Sequence, residues 1–214
     1  MSGDEQHEFT VTGSTVRYEG AIVALRVDEV VMPGGHTARR EVVEHRGAVA
    51  VVALDDQDRV ALIEQYRQPL GRRLWELPAG LLDAEGEEPV DAAERELAEE
   101  VDLAADRWEV LLDLALSPGF TDEALRVYLA RGLRSLPGAQ RVDEEADLRW
   151  SWVPLDTAVT MALSGDIVNA TAVAGVLAAA RVVDGAGSTR PVTAPWADRP
   201  TAFDRRMAAR GEQG

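Results

Sequence analysis

The sequence predicts an α/β (α+β) fold that opens on an N-terminal antiparallel β unit. Three observations carry the prediction. Residues 9–45 mix β-branched residues with apolar/polar alternation around the turn Pro33-Gly34-Gly35. AVAVVALD at 48–55 is a continuous apolar run, the pattern of a strand buried on both faces. Val90, Ala93, Leu97 and Val101 follow one another at spacings of 3, 4 and 4, one apolar stripe on a helix.

Taken in order, Arg40-Glu41-Val42-Val43-Glu44-His45 closes the β unit as a strand. Asp55-Asp56-Gln57-Asp58 is a turn, and RVALIEQYR at 59–67 is the next strand, so 48–67 reads as a hairpin. RLWELPAG at 73–80 is a short strand running into a loop at Gly80. Pro89 suits a first helical turn, where its missing N–H costs nothing. Strands are expected at 108–118, 124–133 and 148–154, and helices at 156–164 and 167–183. From Asp184 the chain carries Gly, Pro, Ser and Thr and reads as a loop, ending in a short helix that frays, AFDRRMAARGEQG. The expected division is 1–46, 47–185 and a tail, 186–214.

The chain has 214 residues, 46% hydrophobic and 28% charged, enough for one large domain or a domain with a small appendage. A net charge of −16 repels a nucleic-acid backbone and argues against bulk DNA or RNA binding. An anionic substrate would need metal ions or a few placed arginines. The absence of cysteine excludes disulfides, thiolate metal sites and a cysteine nucleophile. There is no apolar run near the ~20 residues of a membrane span, and the acidic start MSGDEQHEFT is unlike a signal peptide. A soluble, cytoplasmic protein is expected.

The chemistry concentrates in Arg95-Glu96-Leu97-Ala98-Glu99-Glu100. A helix turns ~100° per residue, so Glu96 and Glu100 share one flank of the apolar stripe, with Glu99 ~60° beyond Glu96. Like charges at i,i+4 repel by a few tenths of a kcal/mol. Arg95 can reach Glu99 at i,i+4, and a hard cation with oxygen ligands would relieve the remainder, Mg²⁺ being the natural candidate. A bare acidic helix face is also a common solvated surface. The surrounding residues separate the two readings.

The stretch from Gly80 to Leu103 resembles the Nudix box: Gly, five residues, Glu, seven residues, Arg-Glu, an aliphatic, any residue, Glu-Glu, any residue, Gly, an aliphatic. Glu87 precedes Arg95 by the family's seven intervening residues, and Arg95 to Val101 match one for one. There are two departures. Six residues, rather than five, separate Gly80 from Glu87, in a loop containing Gly86. Asp102 replaces the closing Gly, where αL geometry costs a non-glycine residue about 1–2 kcal/mol, so a strained but intact cap is expected.

The resemblance implies a mixed sheet sandwiched between helices, and hydrolysis of a nucleoside diphosphate linked to another moiety with Mg²⁺ or Mn²⁺. It implies Glu96 and Glu100 as principal metal ligands and Glu99 as a further one. Backbone oxygen would come from Ala79 and Gly80, and Arg95 would orient the glutamates. Two or three ions are implied.

Outside the box the chain is similar to the ADP-ribose pyrophosphatase subfamily, in particular its actinobacterial members. Pro118 lies fifteen residues beyond Leu103, followed by Gly119 and then Glu123. The N-terminal β unit carries Arg40, matching an arginine that contacts the adenosine side; in relatives this unit dimerises, so a homodimer is implied. Arg67 matches an arginine on the phosphates. In Asp143-Glu144-Glu145-Ala146-Asp147, Glu144 aligns with a loop glutamate that acts as base or orients water, with Glu145 as rival. Bland readings stand beside each: a Pro-Gly turn, surface ion pairs for the arginines, a solvated acidic loop. The implied activity is Mg²⁺-dependent hydrolysis of ADP-ribose to AMP and ribose 5-phosphate. The alternatives are another nucleoside diphosphate sugar or a non-catalytic ligand-binding module. No nucleic acid and no membrane partner is expected.

Overall fold

The computed structural model describes residues 7–84, 86–138 and 147–211. The chain divides into two compact units. One holds the residues up to Arg46, Ala115–Glu123 and the residues from Pro200 onward; the other holds Gly47–Leu114 and Ala124–Arg199.

The first unit is built on a three-stranded antiparallel sheet, β1 (Val11–Glu19), β2 (Val23–Val31) and β3 (Thr37–His45), in that order. The Pro33-Gly34-Gly35 turn joins β2 to β3, with both glycines at positive φ. The final helix α4 (Ala202–Gly211) belongs to the same unit and buries Phe203 completely.

In the second unit β4 (Ala48–Ala53) is buried at every position, as its unbroken apolar run predicts. Val49, Val51 and Ala53 join one core with Ala92, Ala93, Leu97 and Val101 of α1 (Pro89–Val101). Ala48, Ala50 and Val52 join the other core with residues of α2 (Leu155–Ser164) and α3 (Ala170–Val183). The strand thus lies between helices on both faces, the layered arrangement expected. Each fully buried Val or Leu in these cores contributes about 1.5–3 kcal/mol. Gly175 lets α3 approach closely, because a Cβ there would meet Leu77 and Val52 at 2.7 and 3.2 Å.

The hairpin expected over 48–67 does not form. β4 pairs with β9 (Ala124–Ser135) in parallel and with β7 (Ala79–Leu81) antiparallel. β5 (Arg59–Arg67) pairs with β6 (Arg72–Glu76) and β10 (Arg149–Pro154) in a separate sheet. Only the isolated bridge Leu54–Val60 joins the two strands beyond the turn. Both strands are apolar on both faces, so each is stabilised inside its own sheet rather than against its sequence neighbour. The strand expected at 73–80 is split after Glu76, because Pro78 has no N–H for a ladder; its carbonyl instead accepts from Val51 N–H at 2.9 Å.

β8 (Leu103–Ala115) starts directly after α1, five residues earlier than expected. It lies in the sheet ordered β11-β8-β9-β4-β7. α3 starts at Ala170, later than expected, because Asn169 caps it, its Oδ1 accepting from Ala172 N–H at 2.9 Å. The tail is not a plain loop: β11 (Arg190–Pro191) pairs with β8. Arg126, buried in β9, bonds Asp113 through two nitrogens at 2.7 and 3.1 Å and the carbonyls of Ala194 and Pro195 at 2.9 and 3.0 Å. Arg126 also stacks over Trp196 at 5.0 Å, so it fastens the tail to the sheet. Among the described residues no helix is long and apolar enough to cross a membrane.

Candidate active site

The acidic helix α1 is seated by its apolar stripe, and the seating buries two of its carboxylates. Ala92, Ala93, Leu97 and Val101 are fully inaccessible, with Val90 packed at the edge. Glu96 and Glu100 flank that stripe and are themselves only 8% and 4% exposed. A buried carboxylate requires partners. Glu100 Oε2 accepts from Ala79 N–H at 2.9 Å. Glu96 takes a hydrogen bond from Arg95 Nη1 at 2.5 Å, and the same nitrogen bonds Glu99 Oε2 at 3.1 Å.

Arg95 is the hub expected from the sequence, and it reaches further than expected. Its Nε and Nη2 bond Glu87 at 3.2 and 3.3 Å, and Nη2 lies 3.8 Å from Asp83. Glu87, then the carboxylates of Glu96 and Glu99, hold the guanidinium pKa well above its ordinary value. The partnership with Glu87 spans eight residues and a loop, so helix periodicity alone could not reveal it.

Gly80 has a steric role. β7 places it opposite Val49, and a Cβ at this position would overlap the Glu96 carboxylate. The glycine therefore leaves the space that Glu96 fills. Asp102 closes the helix at φ 54°, ψ 41°, with its N–H bonded to the Ala98 and Leu97 carbonyls, so the expected strained cap is present.

The donor set fits a hard divalent cation: three carboxylates on one helix, two of them buried beside the backbone of β7 at Ala79 and Gly80. Among the described residues, no three such groups already converge on one point. The guanidinium of Arg95 draws Glu96 and Glu99 to itself instead.

The remaining expected residues fall in both units. Arg67, at the end of β5, is gripped by Glu76, with Nε and Nη2 at 2.8 and 2.7 Å from its two oxygens. Glu76 is 2% exposed and was not expected; a carboxylate in the apolar stretch RLWEL, nine residues from an arginine, was its only signal. Arg67 also lines a cavity of about 320 Å³ with Gln65, Tyr66, Arg73 and Asp147.

In the other unit, Arg40 on β3 and Gly119 line one groove of about 560 Å³, together with Arg17, Arg39, Glu41 and Phe120. Three guanidiniums beside an exposed phenyl ring suit an anionic ligand with an aromatic moiety. Pro118 sits in the expected turn, with Ser117 O accepting from Phe120 N–H at 3.1 Å and Thr121 N–H at 3.2 Å. Glu123 N–H donates to Thr121 Oγ1 at 3.1 Å. Glu144 and its rival Glu145 lie outside the described residues.

The family model described as NUDIX domain matches residues 44–174. A protein named ADP-ribose pyrophosphatase from Mycobacterium tuberculosis (strain ATCC 25618 / H37Rv) is 52% identical over 205 residues, covering 96% of this chain and 99% of that protein. A protein named Methanol dehydrogenase activator from Bacillus methanolicus is 41% identical over 142 residues, 66% of this chain and 76% of that protein. A solved structure, "Crystal structure of ADP compounds hydrolase", superposes with a TM-score of 0.73 at 22% identity, covering 86% of this chain and 98% of the other; that likeness speaks for the fold. The family match spans most of the chain and includes the whole Gly80–Leu103 stretch, and on that ground the chain belongs to the Nudix family.

Proposed function

We propose that the protein hydrolyses the diphosphate of ADP-ribose, releasing AMP and ribose 5-phosphate, with Mg²⁺ as its working metal and two or three ions in the site. The observation that carries the hydrolysis is the buried acidic flank of α1, seated against Gly80 and gathered by Arg95. The substrate rests on the 52% identity, over nearly the whole chain, to a relative named for that activity.

Glu96, Glu99 and Glu100 would hold the ions, with backbone oxygen from Ala79 and Gly80. A bound divalent cation neutralises diphosphate charge and acidifies water. Arg95 keeps the carboxylates in register through its bonds to Glu96 and Glu99. Arg67 faces the phosphates from an orientation fixed by Glu76. Arg40 and Gly119, with Pro118 and Glu123 shaping the turn, receive the adenosine side. Glu144 orients the attacking water or takes its proton.

The protein acts as a homodimer through its β unit. That reading is supported by Val11, Val16 and Tyr18 on β1, which are 52%, 38% and 59% exposed on a sheet-edge strand. A cytoplasmic setting agrees with the cysteine-free sequence.

The second reading, a ligand-binding module that acts on another protein, is favoured by the B. methanolicus relative's name. One assay separates them. Purified protein is given Mg²⁺ with ADP-ribose, GDP-mannose or UDP-glucose, and the products are resolved. AMP from ADP-ribose as the fastest reaction is expected. Faster cleavage of another nucleotide sugar overturns the substrate, and tight binding of ADP-ribose without Mg²⁺-stimulated cleavage favours the module.

A further inference from the structure

The C-terminal helix reaches the N-terminal sheet through one carboxylate. Glu44, on β3, is 2% exposed. Arg206 of α4 takes both of its oxygens, Nε to Oε2 at 2.7 Å and Nη2 to Oε1 at 2.8 Å. Arg26 of β2 adds a third bond, Nη1 to Oε1 at 2.6 Å, and itself holds Asp28, which takes the Ser14 hydroxyl at 2.7 Å. α4 is fastened at two further points: Phe203 lies under Arg46 at 5.3 Å, and Arg210 meets Glu19 at 2.9 Å.

What flanks Glu44 gives this clamp a consequence. Along a strand, successive backbone groups face opposite edges. The backbone of Glu44 pairs with Ala24 of β2. Its neighbours point the other way, into the Ser117–Glu123 segment. Val43 N–H donates to Phe120 O at 2.8 Å, Asp122 N–H donates to Val43 O at 3.2 Å, and His45 N–H donates to Asp122 Oδ1 at 2.8 Å. The segment therefore caps the free edge of β3 at the two residues that bracket Glu44. Gly119 and Phe120 of this segment and Arg40 of β3 are walls of the same groove. The side chain that fixes Glu44 thereby fixes the strand edge from which the groove's second wall is hung.

We propose that Arg206 is a positioning residue for substrate binding: by clamping Glu44 it holds the β3 edge in register with the Ser117–Glu123 segment, so that the C-terminal helix sets the width of the Arg40–Phe120 groove. The kinetic consequence rests on the proposed ADP-ribose hydrolysis; the structural one does not. The Arg206 guanidinium, with Arg26 and against the opposing effect of burial, also holds the Glu44 carboxyl below the usual carboxylate range, so the clamp stays ionic throughout the neutral range.

The test compares wild type with Arg206→Ala and Arg206→Lys in the full chain. Initial rates with ADP-ribose and Mg²⁺ are expected to show KM raised about five- to tenfold in Arg206→Ala, the scale of one ordinary hydrogen bond, with kcat within about twofold. Arg206→Lys keeps the charge but not the two-point grip, and its KM is expected to fall between the two. Amide hydrogen exchange supplies a readout that needs no substrate. Val43 and His45 N–H should lose protection in Arg206→Ala while amides of the β1–β2 ladder keep theirs. Should Arg206→Ala not fold, Arg206→Lys carries both measurements. Unchanged KM with unchanged protection at Val43 and His45 overturns the proposal. So does a loss of protection spread evenly over the sheet, which marks Arg206 as a general stabiliser. If wild type cleaves no ADP-ribose but the exchange pattern appears, the substrate reading fails and the positioning role stands.

Discussion

Glu44 and Glu96 are both almost buried, 2% and 8% exposed, yet they sit in opposite electrostatic settings. Around Glu44 two guanidiniums close on one carboxylate. On α1 a single guanidinium, Arg95, lies within salt-bridge distance of four carboxylates, Asp83, Glu87, Glu96 and Glu99. The first arrangement is a fastener, built to hold two elements together. The second spreads one cation across many oxygens, which suits the metal site proposed for α1.

The comparison is sharpened most by matched Glu→Gln substitutions. Glu44→Gln should cost about 2–3 kcal/mol, less than the ~3–5 of a fully buried pair because Arg26 and Arg206 each remain 24% exposed. The melting temperature should fall by about 5–10 °C. Glu100→Gln should leave stability within about 0.5 kcal/mol, because it relieves an i,i+4 repulsion with Glu96 and a Gln oxygen can still accept from Ala79 N–H. Equal destabilisation of the two variants breaks the comparison.

Next in size is Gly80→Ala, whose methyl would occupy the place of the Glu96 carboxylate. Overpacking of this kind costs about 1–3 kcal/mol. Displacement of Glu96 should lower Mg²⁺-dependent turnover about 10–100-fold, measured in steady state on protein shown folded by circular dichroism. Full turnover in this variant would dissociate Glu96 from the site.

Asp102→Gly should stabilise the protein by about 0.5–1 kcal/mol in urea titration, since the αL strain it removes at φ 54° outweighs the freedom that glycine adds to the unfolded chain. Activity should not change, because the cap lies outside the acidic flank. A loss of stability would show that the Asp102 side chain contributes more than its backbone strain costs.

The smallest effect is a pH slope. Glu44 titrates below the ordinary carboxylate value, first because of Arg206. Its contribution is complete above the unfolded value of about 4.3 and is lost as pH falls through the folded one. Asp113, held low by Arg126 and Arg190 against its burial, acts with the same sign. Asp122, raised by burial, acts with the opposite sign, adding stability at low pH that is lost as pH rises through its folded value. Urea midpoints between pH 7 and pH 3 should fall in wild type and fall less steeply in Arg206→Ala. Identical slopes would remove Glu44 from the acid-sensitive set.

These two regions also differ in how far the sequence reveals them. The α1 site is local: the stripe, the glutamates, Arg95 and the closing Asp102 lie within one helix, where 3.6-residue periodicity fixes which side chains share a face. Gly80 and Glu87 came from the spacing of a family pattern, and their physical reasons, a carboxylate filling the Cβ position and a bond to Arg95, emerge only in three dimensions. The Glu44–Arg206 clamp joins residues 162 apart, and no periodicity links them. The hairpin expected over 48–67 failed for a related reason. An apolar run marks a buried strand but does not say which sheet it enters, and β4 and β5 part after a single bridge. Arg126 stands in an apolar strand, and its partners in the tail lie 68 and 69 residues away, beyond the reach of any local pattern.

That the acidic flank of α1 holds the catalytic metal is the proposal on which the mechanism depends. It is tested most directly by titrating Mg²⁺ into wild type and Glu100→Gln with ADP-ribose as substrate, measuring AMP release, and confirming equal melting temperatures. Mg²⁺-dependent release by wild type and a loss of about 100-fold in Glu100→Gln are expected. Equal Mg²⁺-dependent rates in the two proteins would contradict the proposal.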